Sequence, residues 1–531
     1  MPAPIRRFPL PGWWDPEFVY LTLHRSCSHS FWLDAGVAAE GGFSYLGAAD
    51  ASSRFVTASV QEGTVTVTLP GPGPGAGAGT GTGTSAVTLP ETIFEFLRED
   101  LAAAESAAES PAESEPEDDA GTDATSGGNE TRFRLGWVGW LGYELGAQTV
   151  GAGVHESRYP DAALLQVDRA IEFDHAQQTV TLLARTGPGR TGAGAPEQWA
   201  AEVLAALRVA AGTSASRTPS QSPVSVRAEA PVAAHWRHDP ERYDALIRQC
   251  QDSITAGDAY QLCLTNEIRV AAHPDPVDAY LRLRAGSPSH HGGLLRFGDT
   301  ALLSASPEQF LAVSRAGRVS TRPIKGTRRR STGLARDLAL RTELETSDKE
   351  RAENLMIVDL MRNDLGRIAE LGSVAVTQLL DVESYAHVHQ LVSTVEARLA
   401  AGLTGVDAVE SCFPAGSMTG VPKPSAMGIL DRLEAGPRGI YSGAFGYFGF
   451  DGAVDLAMVI RSIVIDRDGA SIGTGGGITA LSDPAEEIEE TRIKAAALLD
   501  ALGALKTHPA IPPATPPATS PAAPDGQGLV T

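Results

Sequence analysis

Thr321-Arg-Pro-Ile-Lys-Gly-Thr-Arg-Arg-Arg330 sets a lone lysine, Lys325, between an isoleucine and a glycine. Gly326 lets backbone and ligand approach closely, and Pro323 fixes its own dihedral and donates no hydrogen bond. Arg322, Arg328, Arg329 and Arg330 surround the lysine with positive charge. Such a cluster suits a small polyanion and lowers the pKa of a neighbouring lysine. Upstream, Ser304-Ala-Ser-Pro-Glu308 puts a carboxylate at the end of an apolar strand. Downstream come two Glu-rich helices and a glycine-rich strand.

The chain has 531 residues, enough for two to four domains. Its formal charge of −22 argues against nucleic acid or an anionic membrane as partner. Much of that excess sits between Glu99 and Glu130, so positive charge local to a pocket remains open to an anionic substrate. Cys27, Cys250, Cys263 and Cys412 are widely spaced with no CxxC, which speaks against a disulfide framework and a structural zinc. The first residues lack the apolar region of a signal peptide, and no apolar run reaches membrane-spanning length. The expected location is cytoplasmic.

Residues 1–211 read as a β-rich companion domain. Thr64-Val-Thr-Val-Thr-Leu alternates with period two, and Arg134-Leu-Gly-Trp-Val-Gly-Trp-Leu-Gly-Tyr143 spaces glycines between large apolar residues, as in a strand against a close neighbour. Within this half, 71–84 and 105–130 cannot bury a face and read as disordered loops. A linker follows at 212–235, then a catalytic domain at 236–503 and a disordered tail at 504–531. Asp239 caps a helix with Pro240 at its first position, and Gly257 stops it. Arg336 to Asp364 reads as helical with a break near Thr346-Ser-Asp. Val374 to Leu379 reads as a strand, His389 to Leu399 as a helix, and Pro484 to Leu502 as a closing helix. Tyr441–Phe450 and Val454–Ile465 read as a hairpin turning at Asp451-Gly452.

Three constellations can carry chemistry. Glu350 and Glu353 share one helix face, and Glu487 and Glu490 repeat the spacing on the last helix. Converging, the two faces suit Mg²⁺, which takes one or two protein carboxylates and fills its other positions with water and substrate oxygens. Apart, they are solvated faces with partners such as Lys494 for Glu490. Gly473-Thr-Gly-Gly-Gly-Ile478 exposes backbone N–H groups that can cradle a carboxylate, or marks a close strand crossing. Arg461 interrupts an apolar strand and needs an anion, either a ligand carboxylate or an internal ion pair.

Taken together these stretches resemble the chorismate-utilising enzymes. The matching pieces are Ile254-Thr-Ala-Gly-Asp-Ala-Tyr-Gln261, Ser306-Pro-Glu308, Arg322-Pro-Ile-Lys-Gly-Thr327 and Ala352-Glu-Asn-Leu-Met-Ile-Val-Asp-Leu-Met-Arg-Asn-Asp-Leu-Gly366. With them go His389-Gln-Leu-Val-Ser393, Pro414-Ala-Gly-Ser-Met-Thr-Gly-Val-Pro-Lys423, Tyr441-Ser-Gly-Ala-Phe-Gly-Tyr447, Ile460-Arg-Ser462, the glycine strand and Glu487 to Ala495. They occur in family order over about 236–503. The resemblance implies an α+β fold of two subdomains, with β-sheets packed as a sandwich and helices outside.

It also implies roles. Glu353 and Glu490 would hold Mg²⁺ on the ring carboxylate of chorismate, with Glu350 and Glu487 behind them. Tyr441, Arg461 and the N–H groups of Gly475, Gly476 and Gly477 would bind the enolpyruvyl carboxylate. Gln261, Thr327 and Lys494 would also line the substrate. Glu308 would protonate the departing C4 hydroxyl, and Lys325 would attack C2 before ammonia enters at C4. Lysine at 325 with glutamine at 261 resembles the branch of component I of aminodeoxychorismate synthase. Anthranilate synthases carry alanine at the first position, and isochorismate synthases carry lysine at the second. An anthranilate-forming relative is the alternative. Ammonia is expected from a separate glutamine amidotransferase subunit in a heterodimer, because no cysteine sits in a G-x-C-x-G elbow, and a downstream lyase is expected to take the product. The family often has histidine immediately before Leu-Val-Ser, where this chain has Gln390, so His389 receives no role.

Overall fold

The computed structural model describes residues 4–37, 39–68, 85–106, 131–186, 195–215, 232–385 and 388–504. Two antiparallel sheets, each of twelve strands among the described residues, pack as a sandwich with helices on the outside. In the first sheet the strand His29–Asp34 pairs with His291–Phe297, setting Trp32 opposite Leu294. In the second, Gly136–Leu141 pairs with Ala444–Gly449, setting Gly139 opposite Gly446. In each sheet the strands from 1–211 form one contiguous block and the later strands another, and these two pairs are the seams that join them. That boundary divides the sequence; the fold is not split there into a companion and a catalytic sheet.

Large side chains fill the space between the sheets, among them Phe31, Tyr45, Trp140, Leu295, Phe445 and Tyr447. The glycines among the tryptophans make this crossing close. A Cβ on Gly139 would lie 1.9 Å from the Ala163 carbonyl, and one on Gly446 2.1 Å from that of Asp455. The outer face of the first sheet is covered by helices Pro276–Gly286 and Pro484–Leu502 through Tyr280 and Leu498. The second is covered by Ile93–Ser106, Asp348–Gly366 and Gly405–Cys412 through Phe94, Ile357 and Val409.

The local punctuation holds at several places. Asp239 accepts from the Arg242 N–H at 2.8 Å and starts the helix Pro240–Thr255. Helix Leu334–Thr346 breaks at Ser347, whose side chain caps Asp348–Gly366. The hairpin turning at Asp451-Gly452 forms from Ala444–Gly449 and Val454–Met458.

Other expectations need correction. His389–Leu399 is a strand, Val388–Arg398, and not a helix. Its β-branched Val388, Val392, Thr394 and Val395 suit a pleat, and three neighbouring strands pair along it. Val388, Val392 and Thr394 also share one face, so its apolar content was divided between two faces as in a buried strand. Arg461 does not interrupt a strand. It sits at φ 51° between Val454–Met458 of the second sheet and Ser462–Asp466 of the first, where the chain crosses between them. The region 212–235 includes the end of helix Pro196–Ala215 and the start of strand Ala234–Trp236, which pairs with Gln261–Val270. Residues 105–106 close the helix Ile93–Ser106, and Ala504 bridges to Val232. The remainder of the segments expected to be disordered, 71–84, 107–130 and 505–531, lies outside the described residues.

A buried ion pair pins the loop before helix Lys423–Glu434. Lys423 Nζ lies 2.6 Å from Asp364 Oδ2 and donates to the Cys412 carbonyl at 2.8 Å. Burial raises the Asp364 carboxyl despite the lysine beside it. Lys423→Met leaves that carboxylate buried without its counter-charge. The expected cost is about 3 kcal/mol of unfolding free energy, read by chemical denaturation against wild type; a loss below about 1 kcal/mol would mean the loop relaxes to let water reach Asp364.

Candidate active site

Lys325 lies on the strand Ile324–Arg329, opposite Leu391 of the strand Val388–Arg398. The register shifts between Lys325 and Thr327, because Gly326 sits at φ 77°. A side chain at 326 would also strike Leu344 and Glu350, at 2.6 and 2.9 Å from its Cβ. Glycine is thus required twice, by the backbone and by the helices packed over it. Asn354 and Ser393 hold the segment from behind. The Ser393 hydroxyl donates to Asn354 Oδ1 at 2.5 Å, while the Ser393 N–H and Asn354 Nδ2 donate to the Pro323 carbonyl.

The arginines around Lys325 do not act as expected. Arg322 pairs with Glu383, Arg328 with Glu343 and Glu350, and Arg330 with Asp337. Their charge is spent on carboxylates, and Arg329 is exposed. Burial is the largest single influence on the Lys325 ammonium and pushes it down. Glu353, Glu308, Cys263 and Glu490 together outweigh burial and hold the lysine above its ordinary value. The lysine is therefore a cation among carboxylates, and no arginine cluster deprotonates it. His389 belongs to that outer network: its Nε2 lies 3.2 Å from Asp337 Oδ1 and its Nδ1 2.8 Å from Ser384 Oγ. Gln390 stands opposite Thr327, which is exposed.

Glu308 follows the strand Thr300–Ser306 and is 7% exposed. Burial raises its carboxyl, against the pull of Lys325 and of hydrogen bonds from the Ser417 hydroxyl and the Ile324 N–H. A carboxyl kept protonated to higher pH is what a general acid needs. Ser417 lies in the Gly-Ser-Met-Thr-Gly turn, and its bond to Glu308 was not foreseen from sequence.

The glycine strand Gly469–Ile478 runs beside Gln261–Val270, with Gly475, Gly476 and Gly477 opposite Thr265, Leu264 and Cys263. Its ladder to Ser462–Asp466 on the other edge ends at Ile472. Among the described residues the edge of 473–478 therefore has no second partner strand, and alternate N–H groups face the site. Both readings of the glycines apply. A Cβ on Gly475 would lie 2.5 Å from the Leu264 carbonyl, a close crossing. One on Gly477 would lie 2.2 Å from Gln261 Nε2 and 3.7 Å from Glu353 Oε2, and one on Gly476 3.0 Å from Glu487 Oε2. Side chains from three elements come down on a bare strand. Gln261 Oε1 is buried there without a hydrogen-bond partner, an acceptor aimed at something to be bound.

Tyr441 stands over Gly473, whose Cβ would fall 2.0 Å from its ring. Gly473→Ala must push the ring away. If Tyr441 grips the substrate, affinity falls at least about tenfold with the melting temperature nearly unchanged; calorimetry and thermal melting check both, and unchanged affinity would remove Tyr441 from the site. Arg461 is half-buried, and burial lowers its pKa against the opposing influence of Tyr441 and Glu490. No carboxylate forms an ion pair with it among the described residues. The ligand-carboxylate reading of Arg461 is thus favoured over the internal salt bridge.

Of the four glutamates on helices Asp348–Gly366 and Pro484–Leu502, Glu353 and Glu487 reach this strand, Glu350 lies against Gly326, and Glu490 is tied to the strand through Lys494. Each has its own cation. Glu350 has Arg328 at 3.4 Å, Glu487 has Lys349 at 3.1 Å, and Glu490 has Lys494 at 2.6 Å, while Lys494 also donates to the Gly475 carbonyl. Glu353 faces Lys325 electrostatically, and its carboxyl is pushed up to about 7 by burial and by Glu350 and Glu487. Among the described residues no three metal-binding side chains converge. A cation that keeps water and takes substrate oxygens needs only one or two carboxylates, so this donor set fits Mg²⁺. Burial, more than the neighbouring carboxylates, raises Glu353, and a cation bound there would oppose both.

A separate cavity of about 780 Å³ lies between the sheets, lined by Asp34, Tyr45, His291, Arg322 and Phe445. It touches Pro307 and Ile324, the neighbours of Glu308 and Lys325, from behind.

A family model for chorismate binding enzymes matches residues 79–500. The aminodeoxychorismate synthase of Streptomyces griseus is 43% identical over 500 residues, covering 93% of this chain and 63% of that protein. Anthranilate synthase component 1 of Streptomyces coelicolor is 38% identical over 384 residues, 70% of this chain and 73% of its own length. The crystal structure of anthranilate synthase component I from Streptococcus pneumoniae superposes with a TM-score of 0.67 at 26% identity, over 87% of this chain and 92% of that one. The chain spans just under two thirds of the length of the Streptomyces aminodeoxychorismate synthases it matches, 63% and 64%. Matched by that family model over most of its length, the chain belongs to the chorismate binding enzymes.

Proposed function

We propose that the chain aminates chorismate at C4, as component I of an aminodeoxychorismate synthase. The observation that carries this reading is Lys325 itself, an ammonium that feels the charges of Glu353, Glu308 and Glu490. In the proposed reaction Lys325 Nζ bonds to C2, the double bond shifts, and the C4 hydroxyl leaves as water with the proton of Glu308. Ammonia then bonds to C4 and the shift reverses, releasing the Lys325 amine. Lysine and Glu308 exchange one proton to start: moving it from the ammonium to the carboxylate yields a neutral nucleophile and a protonated acid together. Their attraction keeps the proton on the lysine in the free enzyme, so the exchange is an uphill step that substrate binding has to drive.

Arg461, Tyr441 and those N–H groups of Gly475–Gly477 that point to the free edge would orient the enolpyruvyl carboxylate, while Gln261 would face the ring and the exposed Thr327 would lie at its rim. Mg²⁺, held by Glu353 and Glu490 with Glu350 and Glu487 behind them, would neutralise the ring carboxylate. Ammonia comes from a separate glutamine amidotransferase subunit, and a lyase consumes the product. No helix among the described residues is long and apolar enough to cross a membrane, and we place the enzyme in the cytoplasm. Incubation with chorismate, Mg²⁺ and an ammonium salt tests the reading by chromatography with and without added lyase. Aminodeoxychorismate, converted to p-aminobenzoate only by the lyase, is expected. Anthranilate with pyruvate release would assign the chain to its anthranilate-forming relatives.

A further inference from the structure

We propose that Glu144 and Tyr143, from the N-terminal part of the chain, set the substrate-facing turn 437–443 through Arg438, making Glu144 a positioning residue for chorismate binding. The inference rests on the reading that Tyr441 and Arg461 grip the substrate.

The strand Gly136–Leu141 ends beside Ala444, and one tight turn, Tyr143–Leu145, follows. There the Glu144 carboxylate, 5% exposed, accepts the N–H of Arg438 at 2.8 Å and feels that of Gly439 beside it. In return the Tyr143 N–H donates to the Gly439 carbonyl at 2.9 Å. The turn needs an external clamp, because Gly439 and Ser442 both lie in the left-handed region, at φ 66° and 68°. Glu144 Oε2 has no partner, so the carboxyl is buried at a desolvation cost that these two N–H groups only partly offset.

Arg438 carries the effect outward. Its guanidinium lies 4.2 Å over the Tyr143 ring and forms a two-pronged pair with Glu434 at 2.7 and 2.8 Å. The remaining donors reach the Cys263 carbonyl at 2.8 Å and the Met418 carbonyl at 2.6 Å. Cys263 lies two residues beyond Gln261, and Met418 follows Ser417, the partner of Glu308. Tyr441 is three residues further along the chain from Arg438. One buried cation thus ties together the segments carrying Gln261, Glu308 and Tyr441, and Tyr143 and Glu144 hold that cation in place.

Glu144→Ala removes both acceptor contacts; Glu144→Gln keeps one acceptor oxygen. Chorismate affinity, measured by calorimetry without ammonia, is expected to weaken about tenfold in the alanine variant and to return to within about threefold in the glutamine variant. The change should fall on KM more than on kcat. Tyr143→Leu, which removes the ring under Arg438 and keeps the carboxylate, should weaken affinity in the same direction and decides the matter if Glu144→Ala does not fold. Wild-type affinity in folded Glu144→Ala, or lost stability with KM unchanged, would overturn the proposal and leave Glu144 a support of the fold. Because binding is read without amination, a wild-type chain that binds chorismate and makes no aminodeoxychorismate would count against the proposed reaction alone.

Discussion

Lys325→Ala is expected to lower C4 amination by at least about 10³-fold, the scale on which removal of a covalent nucleophile acts, while chorismate still binds. The proposed grips on chorismate are elsewhere, at Arg461, at the free edge of Gly473–Ile478 and at a cation held by the glutamates, and the strand edge keeps its backbone position without the lysine. Removing the ammonium does change the charge. Glu308 and Glu353 lose the cation that each of them feels most among the groups that lower their pKa. Both carboxyls then rise further, so the variant keeps its acid with no nucleophile to serve. The space opened beside C2 admits ammonia, and traces of anthranilate are expected in place of aminodeoxychorismate. Intact-mass measurement of wild type quenched with chorismate and no ammonia should show an adduct on Lys325. Near wild-type production of aminodeoxychorismate by Lys325→Ala would make the lysine a bystander and leave only the family assignment standing.

The parts of this site legible in the sequence are those whose chemistry is local. Gly326, the spacing of Glu350 with Glu353, and the run Gly473–Gly477 each announce a backbone conformation or a shared face. The structure puts the three on two strands and one helix. Charge was not legible in the same way. Four arginines beside a lysine look like an electropositive pocket until their partners are known. Glu383, Glu343 and Asp337 are 61, 15 and 7 residues from the arginines they neutralise. The strand Val388–Arg398 failed for a related reason, since a strand buried on both faces shows little alternation and its type is set by the three strands that pair with it. Arg438 gave no sequence signal at all. Its importance comes from carbonyls of Cys263 and Met418 and the ring of Tyr143, none near it in the chain.

Glu353→Gln and Glu490→Gln are each expected to raise the Mg²⁺ concentration for half-maximal activity by about 10²-fold or more, with the fold intact. An amide oxygen can still occupy a coordination position, but it brings no charge to offset a dication. The two variants should differ in what they do without metal. Glu353 is buried, with its carboxyl pushed up to about 7 by desolvation and like charges. The amide removes that burden, and Glu353→Gln should melt no lower than wild type. Glu490 is ion-paired to Lys494, which holds its carboxyl below the ordinary value once burial is overcome. Glu490→Gln therefore releases Lys494, leaving its ammonium with the Gly475 carbonyl. That variant should lose a little stability, and its substrate affinity should change even in the absence of Mg²⁺, because Gly475 belongs to the strand edge proposed to receive the carboxylate. Titration with Mg²⁺ by calorimetry separates metal binding from turnover. Full activity of either variant at ordinary Mg²⁺, together with unaltered metal affinity, would show that the two acidic helix faces serve only their lysines and arginines.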